Sequence, residues 1–202
     1  MKYIQRFVVA LALSLAAFAG GSHAARAADP RLQDMVLGRA DAPITIIEYA
    51  SLTCPHCADF HESVLPALKK DYLDTGKAKL IFRDFPLDNL AFAGAIVARC
   101  AGPEKYFTYL GVLFAQQRQW ATAQDPKAAL KQIARLGGMP GDQFEACLTD
   151  KAVGDYILNS RLEGNQKFNV NSTPTIIVDG KPESGVPSYE DLRKKLDALA
   201  KK

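Results

Sequence analysis

Two cysteines are separated by two residues in the tetrad Cys54-Pro55-His56-Cys57. At that spacing one helical turn brings both sulfurs within reach of a disulfide bond, so the pair can cycle between dithiol and disulfide. The tetrad follows the run Ile44–Ala50, and Pro55 suits the first turn of a helix, where its missing N–H costs nothing. The free N–H groups and the positive end of such a helix stabilise a thiolate at Cys54. We therefore expect Cys54 to attack and Cys57 to resolve, with His56 adding positive charge or a hydrogen bond that lowers the pKa of Cys54.

Other uses of a close cysteine pair fit this sequence less well. A zinc site requires about two further ligands at workable spacing, and the chain has no second pair of this kind. Haem attachment requires a histidine directly after the second cysteine, where Ala58 stands. A purely structural disulfide stays open, although a helix N-terminus favours a reactive thiol. Redox chemistry is the interpretation that the context favours.

Two ionisable side chains lie near the tetrad along the chain. Glu48 falls within the apolar run Ile44–Ala50, where a carboxylate is costly unless it has a role or reaches solvent at the strand end. We favour a functional role for Glu48. His61 follows Cys57 by one helical turn and could touch the site, but we expect it on partly exposed helix surface.

A βαβ unit is predicted to position these residues. Ile44–Ala50 is short, β-branched and mostly apolar, as a buried strand should be, and 79–85 indicates the next strand. The intervening helix has one apolar face that recurs every four residues, and Pro66 should kink it. That face consists of Phe60, Val64, Leu68 and Tyr72.

The chain beyond this unit changes character twice. Residues 87–168 show helical segments and no strand signal, with breaks at Gly102-Pro103, at Asp125-Pro126 and at 137–141. Strand character returns at Thr175–Val178, with Asp179-Gly180 as a hairpin turn, and a last helix begins near Tyr189 after a capping-box pattern. We predict an α/β core formed by 28–86 and 169–202 and interrupted by an all-helical insertion, 87–168.

Residues 1–27 have the three parts of a secretory signal. Basic Lys2 and Arg6 precede a short apolar stretch, and Ala25-Arg26-Ala27 offers a small-x-small cleavage site. The stretch is shorter than the roughly 20 residues that a membrane span needs, so we expect cleavage near residue 27 and not an uncleaved anchor. Cleavage removes three of 25 basic residues and none of the 22 acidic ones. The resulting net charge near zero gives no support for nucleic-acid binding.

The other two cysteines, Cys100 and Cys147, both lie in the helical segment. In an oxidising compartment we expect them to form a structural disulfide that ties two helices together. Two separate buried thiols are the alternative.

The whole pattern resembles the DsbA-like family of exported thiol:disulfide oxidoreductases, which carry a helical domain inside a thioredoxin-like fold. The resemblance rests on the stretch from Glu48 through the Cys-Pro-His-Cys tetrad, on the helices of mid-chain, and on Ser172-Thr173-Pro174-Thr175. It implies a cis peptide before Pro174, with Thr173 and Pro174 facing the cysteine pair and offering backbone groups to a substrate. It also implies that Glu48 is the buried acid that accepts and relays the proton of the resolving cysteine.

The resemblance further implies residence in the periplasm, where folding exported polypeptides are the substrates and a quinone-coupled membrane oxidase of the DsbB type restores the disulfide. Two residues depart from the best-known oxidases. Thr173 stands where those proteins have valine, and His61 stands where they have a second acid. Both departures favour a weaker oxidant.

Three functions follow from the sequence. The leading hypothesis is a dithiol oxidase that donates its Cys54–Cys57 disulfide, without cofactor or bound metal. The second is an isomerase or reductase; such isomerases dimerise through an extra N-terminal segment, and the short stretch 28–42 before the first expected strand favours a monomer. The third is a binding module that holds a soft metal such as copper(I) through Cys54, Cys57 and His56.

Overall fold

Five strands form one sheet within residues 28–183 and 185–201, which the computed structural model describes. The expected signal segment, 1–27, lies outside the described residues. The strands are β1 (Met35–Leu37), β2 (Ile44–Ala50), β3 (Ala78–Asp84), β4 (Thr175–Val178) and β5 (Lys181–Pro182). They stand in the order β1-β3-β2-β4-β5, so β2 lies at the centre.

The helices lie between β2 and β3, between β3 and β4, and after β5. Between β2 and β3 lie α1 (Pro55–Ser63), α2 (Leu65–Leu68) and a π-helical turn, Lys69–Leu73. Between β3 and β4 lie α3 (Asn89–Cys100), α4 (Pro103–Ala115), α5 (Gln117–Ala121), α6 (Pro126–Leu136), α7 (Gly141–Leu148) and α8 (Lys151–Phe168). The last helix is α9 (Tyr189–Leu199).

The central strand has the expected neighbours. β2 pairs parallel with β3 and antiparallel with β4, so that Glu48 stands opposite Phe82 on one side and Ile176 on the other. The predicted bounds of β2 and β4 are confirmed, while β3 begins and ends one residue earlier than predicted. The sheet, with α1, α2 and α9, forms a thioredoxin-like core. The helices between β3 and β4, α3–α8, are the helical insertion.

The helix after the cysteine pair is interrupted, as Pro66 predicted. α1 ends at Ser63 and α2 begins at Leu65, because proline lacks the N–H that would continue the ladder of hydrogen bonds. The apolar face survives the interruption, with Phe60, Leu68 and Tyr72 all buried. The π-helical turn that follows was not expected.

The strand β1 corrects the expectation that nothing regular precedes β2. Met35–Leu37 pairs antiparallel with β3 and forms one edge of the sheet. Arg99 of α3 holds the segment that precedes β1 by donating hydrogen bonds to the carbonyls of Arg31 and Gln33, at 2.9 and 3.0 Å. The same guanidinium forms a buried ion pair with Asp84, 2.6 Å between Nε and Oδ2.

The C-terminal elements match the prediction. Asp179 and Gly180 both have positive φ, 49° and 78°, and connect β4 to β5 as a tight hairpin. Ser188 and Asp191 form a reciprocal capping box at the start of α9. Leu192 and Leu196 then pack under the sheet beside Phe60 and Leu68.

Candidate active site

The first cysteine is the N-cap of α1. Cys54 has extended backbone dihedrals, φ −81° and ψ 117°, and Pro55 is the first helical residue. The Cys54 carbonyl accepts hydrogen bonds from the N–H groups of Cys57 and Ala58, at 3.1 and 3.2 Å. Both sulfurs are free thiols in this structure; Cys54 is 6% exposed, and Cys57 is fully buried.

The two thiols have opposite acid–base properties. The hydrogen bond from Cys57 is the largest influence on Cys54; with the Thr173 hydroxyl and the N–H groups of Cys57 and His56, it outweighs burial and lowers the pKa of Cys54 to about 5. Burial raises the pKa of Cys57 far above its ordinary value, and the neighbouring charge of Glu48 adds to that effect. Near neutral pH the arrangement therefore favours a thiolate on Cys54 and a thiol on Cys57.

The imidazole of His56 was expected to act on Cys54 through its charge or a hydrogen bond, but it lies exposed at the surface. Its side chain is 76% exposed, and its Nδ1 lies 3.8 Å from the Asp59 carboxylate. The influence of His56 on the pKa of Cys54 passes through its backbone N–H. Helix geometry explains the correction, because a side chain between the two cysteines points away from the sulfurs while its amide points toward them.

Thr173 and Pro174 lie against the cysteine pair from the far end of the chain. The peptide bond between them is cis, and the Cys54 thiol donates a hydrogen bond to the Thr173 carbonyl, 3.2 Å between Sγ and O. The buried Thr173 hydroxyl makes no hydrogen bond within the described residues while Cys54 is a thiol, and it donates to the sulfur when Cys54 ionises.

Glu48 is fully buried in the central strand. Both of its carboxylate oxygens lie 3.0 Å from His61 Nε2. The expectation that His61 lies on partly exposed helix surface is wrong for its side chain, which is only 6% exposed. Helical spacing placed His61 near Cys57, but its burial depends on α4, whose Phe114 covers the ring.

Comparisons with known proteins agree with this geometry. A family model described as thioredoxin matches residues 31–198. The crystal structure of alpha-DsbA1 from Wolbachia pipientis superposes with a TM-score of 0.78 and 32% identity, covering 84% of this chain and 92% of that one. The chain belongs to the DsbA-like family.

Curated relatives bear similar names. A putative protein-disulfide oxidoreductase of Rickettsia prowazekii is 33% identical over 166 residues, which is 81% of this chain and 60% of the rickettsial one. The disulfide bond formation protein D of Bacillus subtilis is 26% identical over 175 residues, 80% of this chain and 75% of that protein. This DsbA-like chain therefore spans 60% of the rickettsial relative's length, which is less than two thirds.

One residue of the DsbA-like site escaped the sequence analysis. The amide of Gln117, on the short helix α5, donates to the carbonyls of Leu52 and Cys54, at 3.0 and 2.9 Å. Gln117 thereby links the helical segment to the loop that carries Cys54. A glutamine among many polar helix residues gives no sequence signal, since its partners are backbone atoms far away in the chain.

Cys100 and Cys147 are joined in this DsbA-like structure. The bond connects α3 to α7, with the Cα atoms 6.2 Å apart. Arg31 lies beside it, with Nη1 3.8 Å from Cys100 Sγ and 2.8 Å from an oxygen of Asp150.

Within 28–183 and 185–201, no three His, Cys, Asp or Glu side chains cluster as metal ligands would. Over the same stretch, every helix is too short or too polar to traverse a lipid bilayer.

Proposed function

We propose that this protein is a dithiol oxidase that donates a Cys54–Cys57 disulfide to folding exported polypeptides. The observation that carries the proposal is the pair of unequal thiols. Cys54 is acidic and contacts the loop at Thr173, whereas Cys57 is buried and hard to ionise. A stabilised Cys54 thiolate exists only in the reduced protein, so it favours reduction and makes the disulfide a good oxidant.

The reaction follows from the placement of the two sulfurs. A substrate thiolate attacks Cys54 Sγ, which forms a mixed disulfide and breaks the bond to Cys57. The departing electron pair stays on the Cys57 sulfur, which takes up a proton through Glu48. A second substrate thiolate then attacks the substrate sulfur, and Cys54 leaves as a thiolate. Two substrate thiols become one disulfide, and the protein is left as the dithiol.

The loop at Thr173 is proposed to hold the substrate. A backbone carbonyl that already accepts a hydrogen bond from Cys54 lies where an extended substrate could add to it as a strand. Pro174 fixes that loop, and Pro55 fixes the first turn of α1. The Cys100–Cys147 bond has a structural role in this scheme.

Reoxidation requires an electron acceptor, for which we propose a quinone-coupled membrane oxidase of the DsbB type. Residence in the periplasm as a monomer, after cleavage near residue 27, completes the proposal. The mass of the protein purified from a periplasmic extract tests the location and the cleavage together.

Comparing the two redox states tests the direction of the chemistry. We expect the reduced protein to unfold at a higher temperature than the oxidised protein at neutral pH, and a glutathione equilibrium to leave the site mostly reduced. A more stable oxidised form would replace the oxidase with the reductase or isomerase. Oxidative refolding of a reduced substrate, with Cys54→Ala as the control, measures the transfer itself.

A further inference from the structure

The buried contact between Glu48 and His61 joins the strand beneath the cysteines to the helix that carries them. Nε2 of His61 lies 3.0 Å from each carboxylate oxygen, and the Glu48 and His61 side chains are 0% and 6% exposed. The charge of Glu48 also acts on Cys57. Cys57, Glu48 and His61 thus form one electrostatically connected series.

Aromatic rings fix the orientation of the imidazole. The ring of Phe114 lies 4.1 Å from it, centroid to centroid, at 32°, while Phe82 and Phe60 meet it edge to face at 5.8 and 6.2 Å. Contacts with three rings leave the imidazole little freedom to turn, and Phe114 also stabilises a cationic ring.

His61 borders an open groove. This groove has a volume of about 510 Å³ and lies between α1, α2 and α4, with Ala58, Leu65, Phe107 and Gly111 among its lining residues. His61 lines it too, and the hydrogen bonds of its ring within the described residues run through Nε2 alone. The imidazole therefore touches a buried carboxylate with one nitrogen and borders a solvent-accessible groove.

We propose that His61 is the residue through which protons pass between Glu48 and solvent in the groove. This inference rests on the proposed function, in which Glu48 exchanges a proton with Cys57. When Cys57 attacks a mixed disulfide, its proton goes to Glu48 and on to Nε2 of His61, and the imidazolium so formed releases its Nδ1 proton to water. When Cys57 is the leaving group, the same steps run in reverse. The attacking step sends one proton to water and leaves His61 with its proton on Nε2, and the leaving step takes one proton up through Nδ1 and restores the first tautomer.

Several other ionisable groups face this pair and shape its response to pH. Glu62 of α1 and Lys69 of the π-helical turn line the same groove. Tyr106 of α4 feels the charge of Glu48, and burial raises its pKa well above the ordinary value, so it stays neutral. From β1, the groove receives only the apolar Leu37 among the described residues. His61 is the member of this group that contacts Glu48 and also borders the groove.

Stopped-flow reaction of the reduced protein with 5,5′-dithiobis(2-nitrobenzoate) separates the two sulfurs. Attack by Cys54 releases one thionitrobenzoate, and attack by Cys57 on the mixed disulfide releases the second. We expect His61→Gln and His61→Phe to slow the second release by about a hundredfold, the lower end of general acid–base catalysis, and to leave the first within about twofold. Glu62→Gln lines the same groove without touching Glu48 and is the matched control.

The pH profile distinguishes a proton exit from a structural role. We expect the rate of the second release in the wild type to depend on pH in a way that both His61 variants lack. An unchanged rate and profile in His61→Gln, with a slow Glu48→Gln, would overturn the exit while leaving Glu48 as the acceptor. A normal Glu48→Gln would instead remove the acceptor role from the proposed function, and the exit with it.

A measurement without mutation covers the case in which the His61 variants fold poorly. The ¹⁵N resonances of His61 in the wild type should titrate differently in the dithiol and disulfide forms, since Cys57 carries its proton in the first and none in the second. Identical titration curves in the two forms would overturn the proposal.

Discussion

At the scale of single residues, the two active-site cysteines differ only through their surroundings. Cys54 has helix N–H groups and two side-chain donors around it, while Cys57 lies beneath it with a carboxylate nearby. The sequence predicted which sulfur attacks, because position relative to a helix N-terminus is a local property. It did not predict the burial of His61, which depends on a helix some fifty residues further along the chain.

Removing the donors of Cys54 should raise its pKa in a fixed order. We expect Cys57→Ala to raise it most, because the hydrogen bond from Cys57 is the largest influence, and Thr173→Val to raise it less. Thiolate absorbance at 240 nm, followed against pH, gives each value. An equal or larger shift in Thr173→Val would contradict the assignment of Cys57 as the main donor.

The acidity of Cys54 also predicts how the stability of the reduced protein depends on pH. Its folded pKa of about 5 lies below the unfolded value of about 8.5, so the thiolate stabilises the reduced fold fully above the unfolded value. That contribution is lost as pH falls through the folded pKa. We expect the difference in melting temperature between reduced and oxidised protein to shrink from pH 8 toward pH 5. A difference that stays constant over this range would contradict the assignment.

At the scale of elements, local patterns in the sequence predicted most of the fold. Short β-branched, mostly apolar runs predicted β2 and β4 to the residue, and the capping pattern at Ser188 predicted the start of α9. β1 was missed because three residues hold too little periodicity, and its conformation is imposed by the edge of β3. The π-helical turn was missed for the related reason that tertiary packing, and not local propensity, selects it.

The close packing of α8 on the sheet can be tested by a substitution at Gly164, which lies against Tyr49. A Cβ at Gly164 would lie 2.6 Å from the Tyr49 ring, which is fully buried and whose hydroxyl accepts a hydrogen bond from Arg83 at 2.9 Å. We expect Gly164→Ala to lower the free energy of unfolding by about 1–3 kcal/mol through overpacking. Urea denaturation measures it.

The control for this substitution is Gly111→Ala. Gly111 is an exposed helical glycine with open space around its Cβ position, and alanine there should stabilise by about 0.5–1 kcal/mol. Similar effects at the two glycines would mean that helix propensity, and not contact with Tyr49, governs Gly164.

At the scale of the whole molecule, two buried connections hold distant parts together. The Cys100–Cys147 bond closes a loop of 47 residues within the helical segment. We expect Cys100→Ala/Cys147→Ala to lose about 4 kcal/mol of unfolding free energy in the chain-entropy model. Denaturation with the active-site pair held reduced isolates this effect, and a loss below about 1 kcal/mol would remove the structural role.

Arg99 is the second connection. Its guanidinium joins the segment before β1 to Asp84 of β3 and stacks 4.3 Å from the centroid of the Tyr156 ring. Arg99→Leu leaves Asp84 buried without its partner and should cost about 3–5 kcal/mol of unfolding free energy. Lys151→Ala, which breaks an exposed ion pair with Asp155, should change it by less than about 1 kcal/mol. Comparable losses in the two variants would contradict the role of burial.

The contact between Cys54 and Thr173 spans 119 residues of chain, with all of α3–α8 between its two ends. A ribosome adds about 5–20 residues per second, so both sulfurs are synthesised roughly 6–24 s before the carbonyl that Cys54 meets. Throughout that interval β2 has no β4 beside it. A nascent chain that stalls in the helical segment therefore displays two reactive sulfurs without the loop that faces them, and the complete site is a late product of translation.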